Sequence, residues 1–132
     1  MRALVLTDIN KLEIQGIDTP VPGPKEVRIR VKRAGICASD IGYWKFGSDR
    51  LALPTVLGHE TSGVVDMVGS EVTKFKIGDK VVPQTTYYVC KECRFCREER
   101  YNLCIERKGI GSKATGAFAE YLVVTESSVM KM

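Results

Sequence analysis

Residues 90–104 read CKECRFCREERYNLC, so four of the chain's five cysteines, Cys90, Cys93, Cys96 and Cys104, fall in one short charged stretch. No other feature restricts the fold as strongly. Thiols two residues apart converge on one ion across a tight turn, and a fourth from the far side of a short loop completes a tetrahedron. The spacing C-x2-C-x2-C-x7-C suits Zn(II), which prefers four ligands and binds thiolates tightly. With all four positions filled by protein, such a site is structural, because nothing stays open for a substrate. The ion would tie down a lobe with little core of its own, about residues 88–106.

Other uses of these thiols fit less well. Disulfides belong to oxidising compartments, whereas the longest apolar run of the amino-terminal MRALVLTDINKLEIQGI is Ala3 to Leu6, too short for a secretory signal. An iron–sulfur cluster could use the C-x2-C-x2-C run, but ferredoxin-like sites place the fourth cysteine sooner and follow it with proline; here Ile105 follows Cys104. Burial as small apolar side chains is disfavoured by the Lys, Glu and Arg neighbours. No stretch approaches the roughly 18 apolar residues of a membrane span, so a soluble, cytoplasmic protein without a membrane partner is expected. The formal charge is +4, from 20 basic and 16 acidic residues with the signs interspersed, which disfavours nucleic acid as a partner.

At 132 residues the chain is the size of one domain, 1–132. In EVRIRVKR, Val27, Ile29 and Val31 fall on one face and Arg28, Arg30 and Lys32 on the other, the pattern of a half-buried strand. ALVLTD and KLEIQGI predict two further strands about a polar turn at Asp8 to Lys11, and Pro20, Pro22, Gly23 and Pro24 break the chain into a loop. Ser39 or Asp40 is expected to cap a short helix through IGYWKF, with Gly42 limiting its length. GVVDMV, VTKFKI and KVVP predict strands joined by turns at Gly69-Ser70 and Gly78-Asp79, and GAFAEYLVV resumes the pattern after the cysteine segment. Tight turns at short intervals argue for a curled antiparallel sheet or barrel.

A second constellation involves the one histidine, His59, within LGHETSG. Glu60 adjoins it, Gly58 and Gly63 permit unusual backbone around it, and Cys37 is the cysteine left over. Zinc accepts Cys, His and Glu together, and three protein ligands plus water define an open, catalytic site. Spacing alone does not bring Cys37 to His59.

The motifs, in their order, resemble the zinc-containing alcohol dehydrogenases of the medium-chain dehydrogenase/reductase family. G-H-E-x-x-G-x5-G-x-x-V, from Gly58 through Gly63 and Gly69 to Val72, is similar to that family's signature. GICASD resembles its first zinc-ligand segment, the cysteine lobe its structural zinc site, and GDKV and GAFAEY are further matches. SDIGYWKFG and CREERYNLC are similar to the sorbitol and polyol dehydrogenase branch.

The resemblance implies a mainly β fold, a GroES-like, partly open β-barrel with short helices and an inserted zinc-binding lobe. It implies a catalytic zinc on Cys37 and His59, with Glu60 a ligand or an alternating one, and a structural zinc on Cys90, Cys93, Cys96 and Cys104. Ser39 corresponds to the hydroxyl that passes the substrate proton toward solvent, and Asp40 to a carboxylate that orients the histidine. Both also have a plain reading as helix-capping residues. Tyr43 and Trp44 are candidates for the substrate cleft, or for ordinary packing.

The implied reaction is zinc-assisted hydride transfer from a secondary alcohol, such as a polyol, to NAD or NADP; threonine or a sugar phosphate alcohol stays open. A dinucleotide site needs G-x-G-x-x-G after a strand. GIGSKATG has Gly109, Gly111 and Gly116 at the wrong spacing and reads as a polar turn. The expectation is an amino-terminal catalytic domain, without the Rossmann domain, that binds zinc but lacks turnover by itself. The resemblance implies a homo-oligomer for the full-length enzyme and a monomer for the fragment. Two departures stand out: Lys91 occupies a place where many members carry glycine, and any later metal ligand lies beyond Met132. The competing class is a non-enzymatic zinc module that mediates assembly.

Overall fold

Alternating apolar and charged residues build the central sheet, as the sequence leads one to expect. The computed structural model describes residues 1–132, the whole chain. In order the elements are β1 (Arg2–Asp8), β2 (Lys11–Gly16), β3 (Glu26–Gly35), α1 (Ala38–Phe46), β4 (Thr55–Val56), β5 (Glu60–Val68) and β6 (Lys80–Pro83). β7 (Thr86–Tyr88), α2 (Arg94–Arg97), β8 (Lys108–Gly109), β9 (Tyr121–Thr125) and β10 (Val129–Lys131) follow. Five strands pair in the order β10-β6-β5-β3-β9, a second sheet has the order β2-β1-β4, and β7 pairs with β8. Every pairing is antiparallel. Register shifts between Arg28 and Ile29 and between Val31 and Arg33 let β3 bend against β5, and such bulges increase local twist and curl a sheet into a half-barrel.

Val27, Ile29, Val65, Val81, Leu122 and Val124 are each at most 1% exposed and form one cluster with Ile110, Ala117 and Val129. At about 1.5–3 kcal/mol per fully buried side chain, these residues are the main reason that the sheet holds its shape. On the opposite face of β3, Arg28 makes two hydrogen bonds of 3.0 Å to Asp66 of β5. Its guanidinium also lies 5.1 Å from the centre of the Tyr121 ring on β9. One alternating strand thus serves the core on one side and an ionic network on the other.

Three expectations need correction. Residues 72–77 form no strand: the amides of Thr73 and Lys74 donate to the Glu126 carboxylate instead of to a ladder. Val72 and Phe75 still reach the core from this irregular segment. Of GAFAEYLVV only the last four residues are strand, within β9 (Tyr121–Thr125). The preceding loop donates Gly116 N–H to Val56 O (2.8 Å), Ala117 N–H to Gly58 O (2.8 Å) and Phe118 N–H to Leu57 O (3.0 Å). It therefore cross-braces the segment that ends at His59. The N-cap of α1 is Cys37 rather than Ser39 or Asp40, although Asp40 caps from the third helical position by accepting the Cys37 N–H, and Gly42 lies inside the helix without ending it. GIGSKATG does form a turn.

Candidate metal centres

The paired strands β7 and β8 form a stalk from which the cysteine lobe projects. Its four sulfurs lie within 4.8 Å of one another. Cys90 Sγ is 3.6 Å from Cys104 Sγ and 4.0 Å from Cys96 Sγ, and all five cysteines of the chain are free thiols. A tetrahedron of sulfurs at the usual zinc–sulfur distance has an edge of about 3.8 Å. The donor set therefore fits a four-thiolate zinc site, and the separations are far too long for S–S bonds.

Backbone amides prepare the sulfurs for negative charge. Cys93 N–H points to Cys90 Sγ and Cys90 N–H to Cys104 Sγ, each at 3.4 Å. The N–H of Cys96 draws the Cys93 thiol down to about 6, and that of Cys90 lowers the Cys104 thiol. Burial, with sulfur neighbours adding to it, pushes Cys96 up to about 12. The amides alone thus do not support four thiolates side by side, and a divalent cation held there would supply the missing charge and release protons on binding. Lys91 takes the turn between Cys90 and Cys93 with φ 61°, a left-handed conformation that a lysine adopts at a cost.

A second donor set forms where α1 begins and β5 begins. Donor atoms of Cys37, His59 and Glu60 lie within 4.8 Å of one another, although 21 residues separate Cys37 from His59. A sulfur, an imidazole and a carboxylate in this disposition fit zinc and leave a fourth position open. Asp40, 3% exposed, joins the two contributing segments. Its Oδ2 accepts Cys37 N–H at 2.9 Å, and its Oδ1 accepts Gly58 N–H at 3.2 Å and lies 3.5 Å from His59 Nδ1. The capping and histidine-facing alternatives are therefore compatible, since one carboxylate occupies both places.

Two glycines make this junction possible. Gly58 has φ +93°, and a Cβ there would lie 2.6 Å from the Phe118 ring. Gly35, opposite Glu60 in the β3–β5 pair, leaves room for the carboxylate: a Cβ there would come to 2.8 Å from Glu60 Oε2.

His59, Ser39 and Tyr43 line a cleft of about 440 Å³, with Asn102, Leu103 and Cys104 of the lobe contributing further wall. Ser39 is exposed there, on the first turn of α1. Trp44 does not line the cleft; it is half-buried, and its carbonyl accepts Asn10 N–H at 2.8 Å. Consecutive residues of a helix point about 100° apart, so Tyr43 and Trp44 could not readily share one wall. The sequence reading missed Arg50, Arg107 and Lys113, which also line the cleft. Arg50 lies far from the other two along the chain, and the three follow no motif that would signal a shared cleft.

A family model described as Alcohol dehydrogenase GroES-like domain matches residues 23–132. A sorbitol dehydrogenase of Halalkalibacterium halodurans is 40% identical over 131 residues, covering 98% of this chain and 38% of the relative. A D-arabitol-phosphate dehydrogenase of Enterococcus avium is 46% identical over 115 residues, covering 86% and 33% respectively. Among solved structures, an alcohol dehydrogenase of E. coli complexed with NADH superposes with a TM-score of 0.93 at 33% identity, covering all of this chain and 38% of that one. The chain thus spans less than two fifths of the length of these relatives. No helix is long and apolar enough to cross a membrane.

Proposed function

Since the chain belongs to the zinc-containing, medium-chain alcohol dehydrogenase family, we propose that it is the catalytic domain of an enzyme that oxidises a polyol or related secondary alcohol to a ketone with NAD or NADP. Cys37, His59 and Glu60 hold a catalytic zinc, and Cys90, Cys93, Cys96 and Cys104 a structural one. The observation that carries this reading is the convergence of Cys37, His59 and Glu60 beside a cleft, around one buried carboxylate. The relatives' polyol substrates support the alcohol class.

Asp40 sets the histidine. Its Oδ1 faces His59 Nδ1 at 3.5 Å, so a proton on Nδ1 is drawn toward this carboxylate and the Nε2 lone pair is left for a metal, which favours one tautomer and ring orientation. The same carboxylate holds the Cys37 amide, so thiolate and imidazole are positioned together. The metal, when bound, supplies Lewis acidity that eases loss of the substrate's hydroxyl proton, and the nicotinamide, when bound, takes up the hydride. Ser39 receives that proton on its hydroxyl oxygen and passes its own to water, which its exposure at the cleft permits. Tyr43 packs against the carbon chain of the substrate.

Metal analysis tests the assignment. Dialysed protein is expected to hold two zinc ions per chain, and the double variant Cys37→Ala/His59→Ala one, with the lobe ion retained. A single zinc in both proteins would leave a structural zinc module as the better reading.

A further inference from the structure

The cleft carries a charge pattern that proton and hydride transfer do not require. Arg50, Arg107 and Lys113 line it, and no carboxylate does. None of the three makes an ion pair within 4.0 Å, whereas Arg2, Arg28 and Lys131 elsewhere each find a carboxylate. They arrive from separate segments: Arg50 from the turn after α1, Arg107 from the exit of the lobe, and Lys113 from the turn that follows β8. Arg107 is half-buried, and its Nε donates to Thr86 Oγ1 at 2.8 Å, which aims the guanidinium while leaving its terminal amino groups available. Like charges at one concave surface repel, and a cleft lined by one sign concentrates ligands of the other.

We propose that the cleft takes a phosphorylated polyol, with its carbinol at Ser39 and His59 and its phosphate monoester on Arg107 and Lys113, aided by Arg50. A phosphate monoester matches the pattern better than a carboxylate. It carries a charge of about −2 and three acceptor oxygens, and guanidinium binds it through two parallel N–H···O bonds. Asn102, Thr85 and Tyr43 offer neutral donors and acceptors along the same wall for the intervening hydroxyls. The volume lies in the range of small-molecule sites. This inference rests on the polyol-dehydrogenase reading of the Cys37, His59 and Glu60 centre.

The test is a titration of the zinc-loaded protein, followed by backbone amide resonances, with sorbitol 6-phosphate, sorbitol, inorganic phosphate, NAD and NADP as separate probes. Sorbitol 6-phosphate is expected to bind at least about tenfold more tightly than sorbitol. It should shift Ser39 and His59 together with Lys113. Lys113→Gln and Arg107→Gln should each weaken it about tenfold and leave sorbitol binding unchanged. Lys113 is exposed in a turn, so its variant serves if Arg107→Gln disturbs the lobe.

Equal affinity for sorbitol and its phosphate, or no effect of Lys113→Gln, overturns the proposal. Shifts confined to Lys113 and reproduced by inorganic phosphate overturn it as well, as does displacement of the sugar phosphate by NAD or NADP, which would assign the cations to the cofactor's diphosphate. Failure of the underlying reading is separable, because zinc content of the same samples reports on the metal centre whether or not an anion binds.

Discussion

Asp40→Asn changes no shape and removes one charge, yet it should disturb the junction between α1 and the segment that enters β5. Both carboxylate oxygens accept a backbone N–H, from Cys37 at 2.9 Å and from Gly58 at 3.2 Å, and the residue is 3% exposed. Asparagine has one oxygen to offer. Its NH2 must face the other amide, donor against donor, which leaves a buried N–H without a partner at a cost of about 1–3 kcal/mol. The surviving bond loses its charge assistance, worth about another 1 kcal/mol. The sum, roughly 2–4 kcal/mol, corresponds to a fall in melting temperature of about 7–14 °C for a chain of this size.

The variant should also bind the second zinc about 10–100-fold more weakly, since the carboxylate no longer sets His59. The four-cysteine site in the same molecule serves as an internal control and should keep its affinity. Scanning calorimetry with zinc in excess reads the first effect, and chelator competition reads the second. A variant that melts within about 2 °C of the parent and holds both ions equally well would refute the role given to this carboxylate.

Other expectations follow from single contacts. Lys91→Gly relieves the left-handed backbone at φ 61° and should raise stability by about 0.5–1 kcal/mol, measured as a shift in denaturation midpoint at constant slope. Cys104→Ser should remove the lobe's zinc and loosen the cleft wall at Asn102 and Leu103, read as faster amide exchange there while the strands of the five-stranded sheet stay protected. The Glu120 carboxyl is held below the usual glutamate range, chiefly by the Arg2 amide and then by the Arg2 side chain. Its contribution is full above the unfolded value and is lost as pH falls through the lower folded one. Glu120→Gln should therefore flatten the dependence of melting temperature on pH below about 4.5, and an unchanged acid slope would remove Glu120 from that account.

Much of the fold was legible because its signals are short-range. Alternation in β3 and the Asp8–Lys11 turn each depend on neighbours in sequence, and both appear in the structure. VTKFKI misled because its apolar residues imitate a strand while its amides are claimed by Glu126, 52 and 53 positions away. GAFAE misled for a similar reason: its N–H groups brace Val56–Gly58 rather than extend β9. The clustering of the four lobe cysteines followed from spacing. The approach of Cys37 to His59 and Glu60 could be anticipated only through family resemblance, since no periodicity links them.

The sequence by itself determined which residue types were on hand for two candidate metal centres, and it brought one of those donor sets together outright, because four thiols within a single short loop have little freedom to be anywhere else. Tertiary structure decided the other. Cys37 meets His59 and Glu60 only because β3 and β5 pair in one register, Gly58 turns the chain where a side chain would strike Phe118, and Asp40 bonds amides from both approaching segments. The cationic lining of the cleft also belongs to the folded state alone, for Arg50 meets Arg107 and Lys113 there only once the chain has closed the large loop that separates it from them.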